Sequence, residues 1–210
     1  MDIHATSAAA EAPDTALSGE WAAALIHGRR TVLPKRLADP GPDPMQLQRI
    51  LGAAAAAPDH GERLPWRFVI VPPPARAALG EAFAAALRDR DPQATPEQLA
   101  QAREKAFRAP LLLLAVADLG APGDEIPAAE RLVSAGCAIQ NLLLMATALG
   151  FGSALTSGKA MDSSALRGLF GLREPEQALC FVSIGTIAGA KRGRNRPPVE
   201  SYVSVLREEP

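Results

Sequence analysis

The sequence predicts a layered fold of the α/β or α+β class, in which apolar strands alternate with helices. Leu111 to Ala117 is an unbroken apolar run whose length suits a strand buried on both faces, and Leu179 to Ile187 is a second strand. Between them a long helix is predicted from about Ala128 to Leu149, and its second half is apolar on nearly every face. Strands separated by helices form layers around a shared core.

The composition is that of one globular domain with extensions. The chain has 210 residues, of which 48% are hydrophobic and 21% charged, so it is long enough to bury a substantial core. The net charge of -1 gives no electrostatic reason to expect nucleic acid or an anionic membrane as a partner. We expect residues 1–17 to be a loose tail without a helical stripe and residues 18–210 to form the domain.

The cysteines and the N-terminus predict a cytoplasmic protein. Cys137 and Cys180 lie far apart in apolar segments, and they are expected to be buried thiols in a reducing compartment. The N-terminus lacks the basic start and continuous apolar core of a signal peptide, and no uninterrupted apolar run reaches membrane-spanning length.

Capping residues and prolines predict where the remaining elements begin and end. The pattern favours helices from Ser18 to Gly28 and from Asp43-Pro44 through the alanines before Pro58. We further expect a polar connector over Val32–Pro42, a strand over Trp66–Val71, a charged helical hairpin opened by Pro72 and by the capping box at Thr95, a short strand and loop within Gly150–Gly158, and a short helix over Ser163–Phe170.

Several familiar catalytic motifs are excluded by their spacing. Gly150-Phe151-Gly152 lacks the third glycine of the dinucleotide fingerprint, and Gly158-Lys159 is followed by Ala160 where a phosphate loop needs Ser or Thr. No Gly-x-Ser-x-Gly elbow is present, and the three histidines are too dispersed for a multi-histidine metal site. A chain without an evident nucleophile or metal site is suited to hold a cofactor that carries the chemistry.

Three short segments stand out as candidates for a binding site, although each has an ordinary structural explanation. A charged helix end, a turn before a strand, and a small-residue loop would account for them separately. In order along the chain they are Arg29-Arg30-Thr31, Ala57-Pro58-Asp59-His60 before Pro65-Trp66, and Gly150-Phe151-Gly152 followed by Thr156-Ser157-Gly158.

Taken together, these segments resemble the nitroreductase family, and most closely its small single-domain bacterial members. Ser134 to Ala138 lies between the second and third segments and Ile184-Gly185-Thr186 follows them, so the likeness covers roughly Trp21 to Ile187. The resemblance implies an α+β nitroreductase-like fold with a central mixed sheet flanked by helices and a C-terminal extension. It also implies a homodimer that binds two FMN cofactors at the subunit interface, each in a site built from both chains.

The resemblance also implies roles for individual residues. Arg29, Arg30 and Thr31 match the motif that binds the FMN phosphate and ribityl chain, which agrees with the pairing of guanidinium groups and phosphate oxygens. His60 matches a position that reaches the flavin from the second subunit, and Glu130 is either an active-site glutamate or a first-turn acid that complements the helix dipole. The segment Leu155, Thr156 and Ser157 passes the isoalloxazine ring, and one of three tail cations adds a phosphate contact: Lys191, Arg192 or Arg194.

The implied activity is a ping-pong reduction in which NAD(P)H passes a hydride to the flavin and leaves, and a nitroaromatic or quinone acceptor then takes two electrons. No side chain is assigned as a general acid, since water can supply protons. Two alternatives stay open: a specialised flavin enzyme of the same family, such as a dehalogenase or biosynthetic oxidase, and a flavin-binding dimer without turnover.

The sequence departs from the family pattern in three places. The relatives carry an arginine near Ala56 and a Trp-Arg pair where this chain has Leu155-Thr156, and the chain is two residues longer between Thr31 and Leu37. We expect these changes to affect the choice of substrate more than the binding of the flavin.

Overall fold

A computed structural model describes residues 15–189 and 195–206, and it shows an α+β arrangement of helices on both faces of an antiparallel sheet. Short 3-10 turns connect several elements. In chain order the helices and strands are α1 Thr15–Gly28, β1 Leu37–Ala38, α2 Pro44–Gly52, β2 Trp66–Ile70, α3 Arg76–Arg90, α4 Pro96–Glu104, β3 Leu111–Asp118, α5 Ala128–Ala148, β4 Gly152–Thr156, α6 Ser164–Phe170 and β5 Glu176–Ile187.

The sheet is organised around β5, which pairs antiparallel with β1, β3 and β4. The strand β2 joins through an antiparallel pairing with β3. The sheet also has a parallel pairing, an isolated bridge between Thr31 and Ser153. This bridge places Thr31, which follows α1, alongside β4. The predicted α+β class with a central mixed sheet flanked by helices is confirmed.

Both faces of β3 are buried, as its unbroken apolar sequence predicts. Leu113 lies in the core cluster formed with α5, which also contains Leu142 and Ile184. The neighbouring Leu114 points to the opposite cluster, with Leu79 of α3. Successive side chains of a strand point to opposite sides, so a strand between two helical layers needs apolar residues at every position.

The predicted caps at Asp43 and Thr95 are confirmed, whereas Ser18, predicted to cap the first helix, lies inside α1. Complete capping boxes start α2 at Asp43 and α4 at Thr95, and the Ser163 hydroxyl caps α6. The prediction that the α-helix continues through the alanines after α2 is wrong, because Ala53–Ala56 form a 3-10 turn. Three further shifts are that α1 begins at Thr15, inside the predicted tail, that α3 begins at Arg76 after a proline 3-10 turn, and that β5 begins at Glu176.

The predicted polar connector over Val32–Pro42 is wrong in one respect, because it contains β1. This strand is two residues long, and Leu37 pairs with Ile187 at the end of β5. Two residues are too few to show a period in the sequence, so the pairing arises from tertiary contacts. Residues 1–14 of the predicted tail lie outside the described residues.

The apolar helix α5 is a core element. By length and composition alone it could cross a membrane. Its buried side chains, among them Ala138, Leu142 and Ala146, form part of the core beneath the sheet. Both cysteines are free thiols: Cys137 is half-buried, and burial raises the pKa of Cys180 to about 11.

A buried carboxylate anchors the start of β5. Arg67 of β2 donates to both carboxylate oxygens of Glu176, with Nε–Oε1 at 2.6 Å and Nη2–Oε2 at 3.1 Å, and the Arg173 backbone N–H donates at 2.9 Å. The hydrogen bond from Arg67 is the largest cause that lowers the pKa of Glu176 to about 2. The ionised form therefore stabilises the fold at neutral pH.

We predict that Glu176→Gln lowers the free energy of unfolding at pH 7 by about 2 kcal/mol, because the neutral amide loses the charge-assisted bonds. In the wild type this contribution is complete above the pKa of an unfolded glutamate, about 4.3, and is lost as the pH falls towards 2. Urea unfolding at several pH values measures both effects, with Glu174→Gln as a control because that side chain is 91% exposed. Equal losses in the two variants would contradict the assignment.

Candidate functional site

Two of the predicted binding segments meet where the chain leaves α1. The Val32 N–H donates to the Ser153 carbonyl oxygen at 2.8 Å, next to the bridge between Thr31 and Ser153. A side chain on Gly152 would lie 3.1 Å or less from atoms of Val32, Leu37 and Ile187, so glycine permits this close approach. The segment Arg29–Thr31 consequently runs beside β4.

A cavity of about 180 Å³ lies at this junction. The predicted residues Arg29, Thr31 and Leu155 all line it, together with Gln140 and Leu143 of α5 and with Ser153 and Ala154 of β4. The structure thus brings together residues that are more than 120 positions apart in the sequence. Arg30 follows Arg29 directly and is exposed.

The cavity carries positive charge without a counter-ion among the described residues. Arg196 lies beside Arg29 and donates from Nη2 to the Arg29 carbonyl oxygen at 3.2 Å. Burial, and secondly the charge of Arg196, lower the pKa of Arg29. Within residues 15–189 and 195–206 neither guanidinium pairs with a carboxylate. Two adjacent cations of this kind favour an anionic ligand.

Ser153 adds an unsatisfied hydroxyl to the same cavity. The residue is 1% exposed, and its Oγ is one of two buried side-chain atoms in the described part of the chain that have no hydrogen-bond partner. Buried polar atoms are nearly always hydrogen-bonded in folded proteins. An anionic group with hydroxyls, such as a sugar phosphate, would satisfy both the charge and the hydroxyl.

The predicted tail cations cannot be placed. Lys191, Arg192 and Arg194 lie outside the described residues. Arg196, from the same basic tail, is the described cation that reaches Arg29, and the sequence prediction missed it. The signal available in the sequence was the run of cations itself, which does not identify the member that folds back.

A second region surrounds Thr156 and Ser157 at the end of β4. Two adjoining clefts of about 380 Å³ each share both residues. We call them together the basic cleft, because their described lining contains five cations and no carboxylate. The cations are Lys35, Arg90, Lys105, Arg108 and Lys159. These cations were not predicted as site residues, although Lys105 and Arg108 lie within six residues of the start of the buried strand β3.

His60 occupies a separate place. It begins a one-turn helix after Asp59, whose carboxylate accepts from the Arg63 and Leu64 N–H groups at 3.1 and 2.7 Å. Its Nδ1 lies 2.7 Å from Oε1 of Glu130, and both side chains are exposed. Glu130 therefore has a histidine partner in addition to its first-turn position in α5.

His60 contacts the first turn of α5, whereas the Arg29 cavity borders the middle of that helix. Glu130, the partner of His60, precedes the cavity residue Gln140 by ten helical positions, which is about 15 Å along the axis. One chain therefore does not place His60 in the cavity that Arg29 lines.

Comparison with known proteins identifies the family. The model of the "Nitroreductase family" matches residues 26–186. A Haemophilus influenzae protein named "Putative NAD(P)H nitroreductase" is 38% identical over 152 residues, which cover 72% of this chain and 82% of the relative. The Escherichia coli K12 protein of the same name, YdjA, is 37% identical over 164 residues, or 77% and 86% of the two chains. The chain belongs to the nitroreductase family.

Solved structures show the same fold. The nitroreductase-like family protein from Bacillus cereus aligns with a TM-score of 0.74 at 21% identity, over 88% of this chain and 95% of that one. The FMN-dependent nitroreductase NfnB from Mycobacterium smegmatis, solved with NADPH, aligns with a TM-score of 0.69 at 17% identity, over 90% and 100%. The predicted nitroreductase-like fold is confirmed.

We predict that Ser153→Ala does not lower the free energy of unfolding of the ligand-free protein and raises it by up to about 1 kcal/mol, since it removes an unsatisfied buried hydroxyl. Ser163→Ala is the matched comparison, because that hydroxyl accepts from the Leu166 N–H at 3.2 Å and caps α6. Its loss should cost about 1 kcal/mol. Chemical denaturation measures both, and a loss above 1 kcal/mol for Ser153→Ala would show that its hydroxyl is bonded.

Proposed function

We propose that the protein is an FMN-dependent NAD(P)H oxidoreductase that reduces electron-poor acceptors, such as nitroaromatics or quinones, by a ping-pong mechanism. The single observation that carries the proposal is the Arg29 cavity, which combines unpaired positive charge with the orphaned hydroxyl of Ser153. Family membership supports an oxidoreductase, and two relatives are named for NAD(P)H. Among proteins of the same fold, one is described as FMN-dependent and another was solved with FMN bound.

The chemistry of the cavity fits the phosphate and ribityl chain of FMN. Arg29 and Arg30 would pair with the phosphate, the Thr31 hydroxyl would add a hydrogen bond, and Ser153 would bond to a ribityl hydroxyl. One of the tail cations would complete the phosphate site: Lys191, Arg192 or Arg194.

The direction of β4 gives room for the rest of the cofactor. Thr156 lies three strand residues beyond Ser153, which is about 10 Å along the chain. We place the flavin ring beside Leu155, Thr156 and Ser157, all of which are exposed. FMN, when bound there, would supply two-electron chemistry by accepting hydride from the nucleotide. The chain's own task would be to fix the orientation of the ring and exclude alternative poses.

We propose that the working unit is a homodimer. Trp21 of α1 is 71% exposed and Val133 of α5 is 65% exposed, so large apolar surfaces lie on two contacting helices. Large exposed apolar patches mark surfaces of association. A second copy would also bring another His60 to the cavity that the His60 of the same chain does not reach.

The cytoplasm remains the predicted compartment.

Two variants of the proposal concern turnover. The substitutions at Ala56, Leu155 and Thr156 remove an arginine and a Trp-Arg pair that the family pattern includes, which leaves a more open ring site. That observation favours a different acceptor, as in a dehalogenase or biosynthetic oxidase, or a flavin-binding dimer without turnover.

We predict that the purified protein binds one FMN per chain, is yellow, and is bleached by NADPH or NADH without oxygen. Arg29→Ala should weaken FMN binding at least tenfold, as the loss of a charge-assisted pair does, while Arg88→Ala on exposed α3 surface should not. Absorbance titration of the apoprotein with FMN measures both.

The possible results discriminate among the candidates. A wild-type protein that takes up no FMN would overturn the proposal. A yellow protein that neither nucleotide bleaches would favour the form without turnover, and bleaching with no reoxidation by nitroaromatics or quinones would favour a different acceptor. Unchanged FMN affinity in Arg29→Ala would remove Arg29 from the phosphate site.

We predict that Trp21→Glu dissociates the dimer, because burying a carboxylate in an apolar interface is costly. Sedimentation equilibrium should show a dimer for the wild type and at least a tenfold larger dissociation constant for the variant. Ala100→Glu places the same charge on the exposed face of α4 and should leave the dimer intact. A wild-type monomer, or a dimer unaffected by Trp21→Glu, would contradict this interface.

A further inference from the structure

The charged side chains that line the basic cleft are all positive. It lies between the α3–α4 hairpin and the loop after β4. Lys105 and Arg108 line both parts, Arg90 and Lys159 line the side towards the hairpin, and Lys35 lines the side towards the turn before β1. Clustered cations repel one another, and an anion bound among them removes that repulsion.

Arg108 carries the second unsatisfied buried atom of the described chain. Its Nε has no hydrogen-bond partner, and the nearest carboxylate oxygen, Oε1 of Glu104, lies 3.8 Å away, too far for a hydrogen bond. Glu104 is itself exposed and does not line the cleft. A guanidinium with a free donor inside a concave site is suited to bind an oxyanion.

The segment that carries Lys105 and Arg108 is stabilised by hydrogen bonds from a buried arginine. The buried Arg76 donates to the carbonyl oxygens of Val71 at 2.8 Å and Ala106 at 2.7 Å. It also donates to those of Ala109 and Pro110, both at 3.2 Å. The turn between α4 and β3 is therefore tied to the start of α3 by one side chain, which pre-organises the cleft.

The cleft also offers an apolar surface. Phe83 and Phe181 meet edge to face, with ring centroids 5.4 Å apart, and both line it. Apolar walls with a few convergent charged groups are typical of sites for ligands that combine a flat ring system with phosphates.

We propose that the basic cleft binds the phosphate groups of the nicotinamide nucleotide that serves as hydride donor. This rests on the proposed function, since it places the donor beside Thr156 and Ser157, where the flavin ring is proposed to lie. The cleft and the Arg29 cavity share no lining residue, so each cation group serves a different phosphate.

The first test measures binding without turnover. Isothermal titration calorimetry with ADP and with 2′,5′-ADP should show binding to the FMN-loaded wild type, and Lys105→Glu and Arg90→Glu should each weaken it about five- to tenfold at low salt, less at high salt. Arg88→Glu reverses an exposed charge on the same helix, outside the cleft, and should change nothing. Tighter binding of 2′,5′-ADP than of ADP would assign the site to the 2′-phosphate of NADPH. Equal binding of the two nucleotides would assign it to the diphosphate that NADH and NADPH share.

The second test uses a donor without phosphates. In Lys105→Glu the KM for NADPH should rise by about the same factor with kcat retained, whereas the KM for 1-benzyl-1,4-dihydronicotinamide should not change, because only the former has phosphates to lose. No binding of either adenine nucleotide, or equal KM changes for both donors, would overturn the proposal.

A third measurement separates this proposal from the function on which it rests. If Lys105→Glu and Arg90→Glu lower the affinity for FMN instead, the cleft binds the flavin phosphate and the inference is wrong. If the wild type binds 2′,5′-ADP in the cleft but takes up no FMN, the proposed function fails while the phosphate site stands.

Discussion

The hydrogen bond from the Val32 N–H to the Ser153 carbonyl oxygen, 2.8 Å long, is the contact on which the candidate site depends. It attaches the segment after α1 to β4, and β4 is in turn paired with β5, the strand that also contacts β1 and β3. The approach is possible because Gly152 has no side chain. Without it, Arg29 and Thr31 would follow an exposed helix instead of lining a cavity beside a buried strand.

Charged groups have different roles near the start of β5 and around β4. Glu176 is matched by Arg67 and by a backbone donor, and the pair contributes to the stability of the fold. Around β4, Arg29, Arg196 and the cations of the basic cleft have no carboxylate within hydrogen-bonding distance in the described chain. Arg29 and Arg108 are half-buried, and the other cations of the two sites are exposed. Like charges gathered in one place repel one another, so their presence is best explained by ligands that supply the opposite charge.

The helix α5 explains why the site has two halves. Gln140, in the middle of the helix, borders the Arg29 cavity, and Glu130, in its first turn, contacts His60. The helix maintains that separation, so the described chain does not place its own His60 in the cavity that Arg29 lines. The resemblance assigned His60 to the second subunit, and the geometry of one chain is compatible with that assignment. The exposed apolar faces of α1 and α5 provide a surface for such a contact.

The local sequence was sufficient for features that depend on near neighbours. The capping boxes at Asp43 and Thr95 and the doubly buried β3 could be predicted because a cap needs residues three apart and a strand needs only its own apolar run. With the family resemblance, the sequence also identified Arg29–Thr31 and Thr156–Ser157 as candidates. It did not reveal β1, Arg196 or the basic cleft, since each arises from residues brought together across the chain. Long-range strand pairing and the path of the polypeptide decided which cations lie around β4 and which carboxylates lie elsewhere. The sequence shows the charge of each side chain, whereas the electrostatic field in a cleft is the sum over all charges of the folded molecule.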